Sequence, residues 1–196
     1  TLSSSSAASD VYKRQADHSS VVRLLLLAGL WLMPAARLAH ALAMDEITLQ
    51  TAGGQQRVQK GEVRKETLAA LLVVDERGNK MPEFRGDQVA NITWDIPYDD
   101  WRRGMFEMRN GNYEMAAASL KGLVEDIGSF REVARPYLLL MYGECLYRAG
   151  KAADAAEALE TLVKDYSQSR YVPPAVDLLV SISVQIENYN LSLIHI

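Results

Sequence analysis

Shifted by 39 positions, the second half of the chain overlays on itself. Pro97-Tyr98 falls on Pro136-Tyr137, Gly104 on Gly143, Arg109 on Arg148 and Gly111 on Gly150. Ala116, Leu120, Leu123, Val124 and Ile127 then fall on Ala155, Leu159, Leu162, Val163 and Tyr166. That series is spaced i, i+4, i+7, i+8, i+11, which is one apolar face of a helix. Gly111 and Gly150 separate two helical patterns, where a helix end calls for the positive φ that glycine adopts freely. Each unit therefore reads helix, tight turn, helix. Gly104 and Gly143, inside the first helices, leave room for the paired helix to come close. A fixed period in this range predicts stacked hairpins, a solenoid in which each unit is covered by its neighbours. Pro173 and Pro174 open a third first helix with Val176, Leu179, Val180 and Val184 apolar, and the pattern stops near Asn190 before a second helix. The expected units are 97–135, 136–173 and a partial 174–190, within a region 95–190 that is C-terminally truncated. The four apolar residues of that last helix are expected to lack part of their cover, so that it frays or self-associates.

These residues resemble the tetratricopeptide repeat (TPR) family. Gly104, then Gly111-Asn112-Tyr113-Glu114-Met115-Ala116, then Leu120 follow its pattern, and Gly143, then Gly150-Lys151-Ala152-Ala153-Asp154-Ala155, then Leu159 follow it again. The period is longer than the family's usual one, and the connector 128–136 is expected to absorb the difference. Asp100 and Leu139 stand at the family's early Trp position. The stretch from Asp165 to Ala175 is similar to inter-repeat linkers of exported outer-membrane-assembly lipoproteins and Tol-system coordinators. The resemblance implies a surface that binds a protein or peptide segment through the first helix of each repeat. Carried onto this sequence, the partner-binding candidates are Tyr98, Trp101, Arg102, Met105, Met108 and Arg109, then Tyr137, Leu140, Met141, Glu144, Tyr147 and Arg148.

Residues 44–94 have a different rhythm. Ile47-Thr48-Leu49-Gln50 precedes the turn signal Ala52-Gly53-Gly54. Val58, Gly61 and Val63 lie in an alternating run, with Gly61 a point of bulge or close approach. Leu71-Leu72-Val73-Val74 is followed by the turn from Asp75 to Asn79, and Met81, Phe84, Val89, Ile92 and Trp94 supply a further apolar set. Four or five short strands at this spacing predict a curled antiparallel sheet or small barrel. The unit resembles SH3-like and Sm-like barrels fused to exported repeat proteins. The expected fold class is thus α+β: a small N-terminal antiparallel β barrel-like unit, followed by an all-α solenoid of helical hairpins.

Ahead of it, Arg23 precedes a ten-residue apolar run, Leu24 to Met33, broken by Pro34. Ala39-His40-Ala41 or Ala41-Leu42-Ala43 then offers the small-x-small pattern of a cleavage point. Residues 16–43 read as a secretory signal peptide, too short for a permanent membrane span. The chain is expected to be exported, periplasmic or envelope-associated. The two ends read otherwise. Asp10-Val11-Tyr12-Lys13-Arg14-Gln15 and Leu191-Ser192-Leu193-Ile194-His195-Ile196 are encoded by codon strings that can be reverse complements of each other. Residues 1–15 and 191–196 therefore look like a translated sequencing adapter and stay outside fold reasoning.

Charge and composition remove several chemistries. The net charge is -4, with 21 Lys and Arg against 25 Asp and Glu, so no overall basic surface recruits nucleic acid. One Cys excludes an internal disulfide framework or multi-thiolate zinc site. His18, His40 and His195 all fall in the leader or the terminal segments. Without an imidazole in 44–190, Cys145 reads as a small buried hydrophobe rather than a nucleophile. No catalytic residue, cofactor site or metal site is expected, and the chain reads as a non-enzyme. The function expected is an exported adaptor or scaffold for protein–protein contacts in the bacterial envelope. The alternative is a docking or regulatory arm of a larger exported enzyme whose catalytic domain lies beyond Asn190.

Overall fold

The computed structural model describes residues 44–51, 53–128 and 131–194, with side chains of the last helix described as far as Ile186. Segments 1–15 and 16–43, read as adapter and leader, lie outside the described residues, as do 195–196. Strands β1 (Asp45–Gln50), β2 (Gln56–Glu66), β3 (Ala70–Val74), β4 (Phe84–Arg85) and β5 (Val89–Thr93) form an antiparallel sheet in the order β4-β3-β2-β1-β5. Helices α1 (Asp99–Arg109), α2 (Tyr113–Glu125), α3 (Arg135–Arg148), α4 (Ala152–Asp165) and α5 (Val172–Ile194) follow. The class is α+β.

The sheet is open, which corrects the barrel expectation. β2 is long enough to serve two partners: its first half pairs with β1 as far as Gly61, and its second half pairs with β3 from Glu62 onward. The handover occurs at Gly61, where a Cβ would press on the Val73 side chain and lie 2.8 Å from the Val74 carbonyl oxygen. Glycine is required there because two backbones cross closely. Closure fails at the other edge. β4 has only two residues, and the 3-10 turn Gly86–Gln88 leads from it into β5, which pairs with β1 alone. The apolar face of the sheet (Ile47, Val63, Leu71, Val73, Val89, Ile92) continues into the helical core instead of closing on itself.

The helices obey the repeat to the level of single contacts. A Cβ on Gly104 would sit 2.7 Å from Leu120 Cδ2, and one on Gly143 would sit 2.8 Å from Leu159 Cδ2. These pairs are related by the same 39-residue shift, so both hairpins close on one device. Gly111 and Gly150 take φ of 78° and 79° between the helices of each hairpin. Consecutive helices pack on each other from α1 through α5. Arg148 joins the hairpins at their turns: its guanidinium lies 5.2 Å over the Tyr113 ring and donates to the Tyr113 hydroxyl at 2.9 Å. Lys151 pairs with Glu114 at 2.7 Å beside it.

Two acidic pairs behave differently. Asp99 and Asp100 occupy the first turn of α1, favourable for the helix dipole, and pair with Arg102 and Arg103. Glu125 and Asp126 close α2, where negative charge is unfavourable. There the Arg135 guanidinium donates to the Glu125 carbonyl at 3.1 Å, and Asp126 Oδ1 accepts the Gly128 N–H at 3.0 Å. A cation and an Asx turn thus offset the wrong sign of charge. Ile127, expected on the α2 stripe, lies just past the helix end yet is fully buried.

The polar attachments of the sheet run to the connectors between hairpins. In the first connector, Arg131 reaches the carboxylate of Asp45 with contacts of 2.6 and 3.3 Å, both side chains fully enclosed. Asp45 also accepts the N–H groups of Val63 at 3.0 Å and Asp95 at 2.9 Å. In the second connector, the Ser169 hydroxyl and the Arg170 N–H each donate to Glu66 at 2.8 Å, and the Leu68 N–H donates to the Gln168 carbonyl at 2.7 Å.

Burial, partly countered by the Arg170 N–H and the Ser169 hydroxyl, raises the Glu66 pKa above the usual carboxylate range. The folded chain therefore holds this proton to higher pH than the unfolded chain, and stability falls as pH rises through that window. The stability of the native chain relative to a Glu66→Gln variant should decrease between pH 4 and 7 in urea titrations. A relative increase over that range would contradict the burial argument.

On α5, Ala175 and Ile182 are buried against α4 and α3 while Val176, Val180 and Val184 form an exposed stripe, 41%, 58% and 52% accessible. Leu179 is half-buried on the core.

Candidate functional site

The twelve residues on α1 and α3, or just before α1, divide into two groups. Tyr98, Trp101, Tyr137 and Leu140 serve internal packing. Leu140 is buried in the core, and the Tyr98 hydroxyl donates to the Ile127 carbonyl at 3.0 Å. Trp101 meets Tyr137 edge-on at 5.8 Å, Tyr137 tilts against Tyr171 at 5.2 Å and stacks near Trp94 at 6.4 Å. The Trp94 indole N–H donates to the Tyr171 hydroxyl at 2.8 Å. An aromatic wall therefore covers the N-terminal end of the first-helix face with a side chain from the sheet's own segment. Burial raises the pKa of both Tyr137 and Tyr171, so these hydroxyls stay protonated.

The second group, apart from Arg102 near the start of α1, lies in the middle and C-terminal turns of the two helices. Met105, Met108, Met141 and Tyr147 are half-buried, Arg102, Arg109 and Arg148 are exposed, and Glu144 is intermediate. Arg102 pairs with Asp99 at 2.5 Å and Glu144 with Arg148 at 2.7 Å. This leaves a strip of flexible, polarizable side chains edged by charges of both signs, a chemistry suited to contact with another polypeptide.

Sequence reasoning missed three features of this surface. Phe106 is 55% exposed although it stands one repeat before Cys145, which is fully buried. The repeat itself held the signal: a helical hairpin precedes the one that carries Cys145, whereas strands precede the one that carries Phe106. A cleft of about 510 Å³ lies between β2 and the two connectors, lined by Arg64, Lys65, Glu66, Glu132, Tyr166 and Ser167 among others. There the Tyr166 hydroxyl donates to Glu132 at 2.7 Å, and burial with this hydrogen bond pushes its pKa up to about 12. A groove of about 640 Å³ crosses α2, α3 and α4 on Leu139 and Tyr142, edged by Lys121, Arg135, Asp154 and Glu157. None of these residues stands out in sequence, because each is an ordinary surface charge or a repeat-core apolar residue until the helices are placed.

Among the described residues, no group of three His, Cys, Asp or Glu side chains could hold a metal ion. Also among them, no helix is long and apolar enough to cross a membrane. Cys145 is fully buried, and burial together with the neighbouring Glu144 pushes its thiol up to about 11. Since the thiolate is the reactive form, the native chain should leave Cys145 unmodified by a thiol reagent at pH 8, with full reaction once urea unfolds it. Fast labelling of the native chain would contradict this.

Against this geometry, the tetratricopeptide repeat family model matches residues 137–169, which run from α3 through α4 into the second connector. No curated protein and no solved structure matches the chain. The match covers the second hairpin. The first hairpin reproduces its Gly–Leu contact and its turn glycine at the same spacing. A tetratricopeptide repeat suggests a role in protein–protein interaction, and the chemistry of the open strip agrees with it.

Proposed function

We propose that this chain is an exported, non-catalytic adaptor that binds a protein segment in the bacterial envelope. The observation that carries the reading is the open half of the first-helix face. Met105, Met108, Met141 and Tyr147 remain partly accessible between Arg102, Arg109, Glu144 and Arg148, while the other half of the face is filled internally by Trp94 and Tyr171. Stacked hairpins grip extended or helical segments along such a face. The mixed charges along the strip favour a partner segment carrying both signs, with an apolar anchor for the methionines. The leader-like segment 16–43 supports export, and the chain's own sheet serves as a fixed buttress against which the hairpins are held.

The test uses exposed positions so that folding is not at issue. Arg102→Glu combined with Arg109→Glu should lower recovery of the envelope partner at least tenfold, while the melting temperature falls only by the few degrees that loss of an exposed ion pair and a helix-end charge costs. Glu160→Lys, exposed on α4, should leave recovery unchanged. Equal recovery by all three chains would remove the first-helix face from the function.

A further inference from the structure

The groove across α2, α3 and α4 lies on residues that the hairpin repeat does not call for. The 39-residue shift returns glycine for glycine and leucine for leucine in the contacts that close the hairpins. The same shift returns Arg103, Met115 and Ala118 at the places of Tyr142, Asp154 and Glu157. The aromatic ring and the two carboxylates are therefore particular to the second hairpin, and the closing contact uses none of the three.

The groove encloses about 640 Å³ over a floor of Leu139, Ala158 and the half-buried Tyr142. Four carboxylates line it, Glu125, Asp154, Glu157 and Asp165, against two cations, Lys121 and Arg135. Both cations already have partners. Arg135 pairs with Glu132 at 3.3 Å and donates to the Glu125 carbonyl at 3.1 Å, and Lys121 lies 3.9 Å from Glu125. Among the described residues, no hydrogen bond or ion pair holds the carboxylates of Asp154, Glu157 or Asp165. Three exposed carboxylates thus border an apolar floor without a cation in direct contact. The Tyr142 hydroxyl feels the resulting field. Burial raises its pKa, Asp154, Glu125 and Glu157 raise it further, and Lys151, bonded to Glu114 at 2.7 Å, opposes them.

We propose that this groove docks a basic, arginine-bearing segment of a partner protein. An arginine lies over the Tyr142 ring with its guanidinium toward Asp154 and Glu157, and an apolar neighbour sits on the floor beside Leu139. Arginine suits the place because its planar head stacks on an aromatic face and forks onto carboxylates. Its methylene stem covers apolar surface while the charge stays at the rim. Lysine brings the charge without the plane or the fork. An acidic segment would meet three carboxylates of its own sign. This surface is separate from the open strip of the first-helix face, and its binding stands whether or not that strip meets a partner. Glu160, on the same helix, lines a neighbouring hollow with Leu179 and not this groove.

The test measures, by fluorescence anisotropy on the full chain, a short labelled peptide in which arginines alternate with leucine and alanine. A copy with glutamate at each arginine position is the control. The basic peptide should bind and the acidic copy should not. Asp154→Asn with Glu157→Gln, both at exposed positions, should weaken binding about fivefold, and Tyr142→Leu about threefold. Glu76→Gln with Glu83→Gln removes the same charge from exposed positions in the sheet unit and should leave binding unchanged. Weakening of that chain to the same degree would mean that the peptide follows net charge and would overturn the proposal. Equal binding of the acidic copy, or no binding of either peptide, would overturn it as well. Displacement of the basic peptide by spermidine at equal concentration would make the occupant a free polyamine and overturn the polypeptide.

Discussion

Replacing Arg131 by Met is expected to destabilise the chain by about 3–5 kcal/mol, because it leaves the Asp45 carboxylate charged, enclosed and without its cation. For a protein of this size that corresponds to a fall in melting temperature of roughly 6–20 °C. The pair is fully buried and bidentate, and Arg131 also lies 5.5 Å over the Trp94 ring. It is not a complete network, since the Nε–H of Arg131 has no hydrogen-bond acceptor. The pair therefore contributes more to specificity than to net stability: it fixes which connector meets which strand. Arg131→Lys keeps the charge but not the fork, so it should recover part of the loss. Asp45→Ala should cost as much as Arg131→Met, because it leaves the Val63 and Asp95 N–H groups without their acceptor and Arg131 without its anion. If chemical denaturation finds either variant within 1 kcal/mol of native, the enclosed pair is not what fastens the sheet.

The second large effect lies in the hairpins. Gly143→Val would drive a branched side chain into Leu159, whose Cγ already stands 2.8 Å from where a Cβ would be. Overpacking of this kind costs about 1–3 kcal/mol, and β-branching in a helix adds to it. Leu159→Ala alone should cost about 2–5 kcal/mol as a core truncation. The double variant should be more stable than the sum of the two losses by at least about 1 kcal/mol, since the valine occupies part of the space the leucine vacates. Gly104 and Leu120 should repeat the result. Strict additivity at both pairs would mean that the glycines are not there to admit the leucines.

That device could be read from the sequence because it is local and occurs twice. Gly104, Gly143, Gly111 and Gly150 each recur at a fixed shift together with the apolar stripe they serve, and such periodicity survives without knowledge of the tertiary fold. Most strand positions were legible for the same reason, as was the turn at Asp75, where the carboxylate accepts the N–H groups of Arg77 and Asn79 at 2.8 Å. The attachment of sheet to hairpins was not. Asp45 and Arg131 are 86 residues apart, and a lone charge in a polar stretch reads as solvated. Arg131 sits in the connector that makes the period longer than usual. The extra residues looked like slack, and they carry the clasp.

The open sheet was misread because strand count and spacing do not determine whether the last strand returns to the first. Here the two-residue β4 is too short to reach across, and the helical core takes over the closing role. On the candidate face, Tyr137 and Trp101 looked like binding aromatics because their type and spacing suit either use. Only the placement of Trp94 and Tyr171 against them decides for packing. Met105, Met141 and Tyr147 carry the same sequence signal and remain partly accessible.

In the proposed function the open half of the first-helix face, and not the back of the hairpins, meets the partner. Site-specific photo-crosslinking in exporting cells tests it most directly, with the reactive group at position 141 or 147 on α3 and, for comparison, at Glu160 on α4. One discrete adduct of the same mass is expected from positions 141 and 147, lost in the Arg102→Glu, Arg109→Glu chain, and none from position 160. Adducts from position 160 that match those from 141, or none from either α3 position, would contradict it.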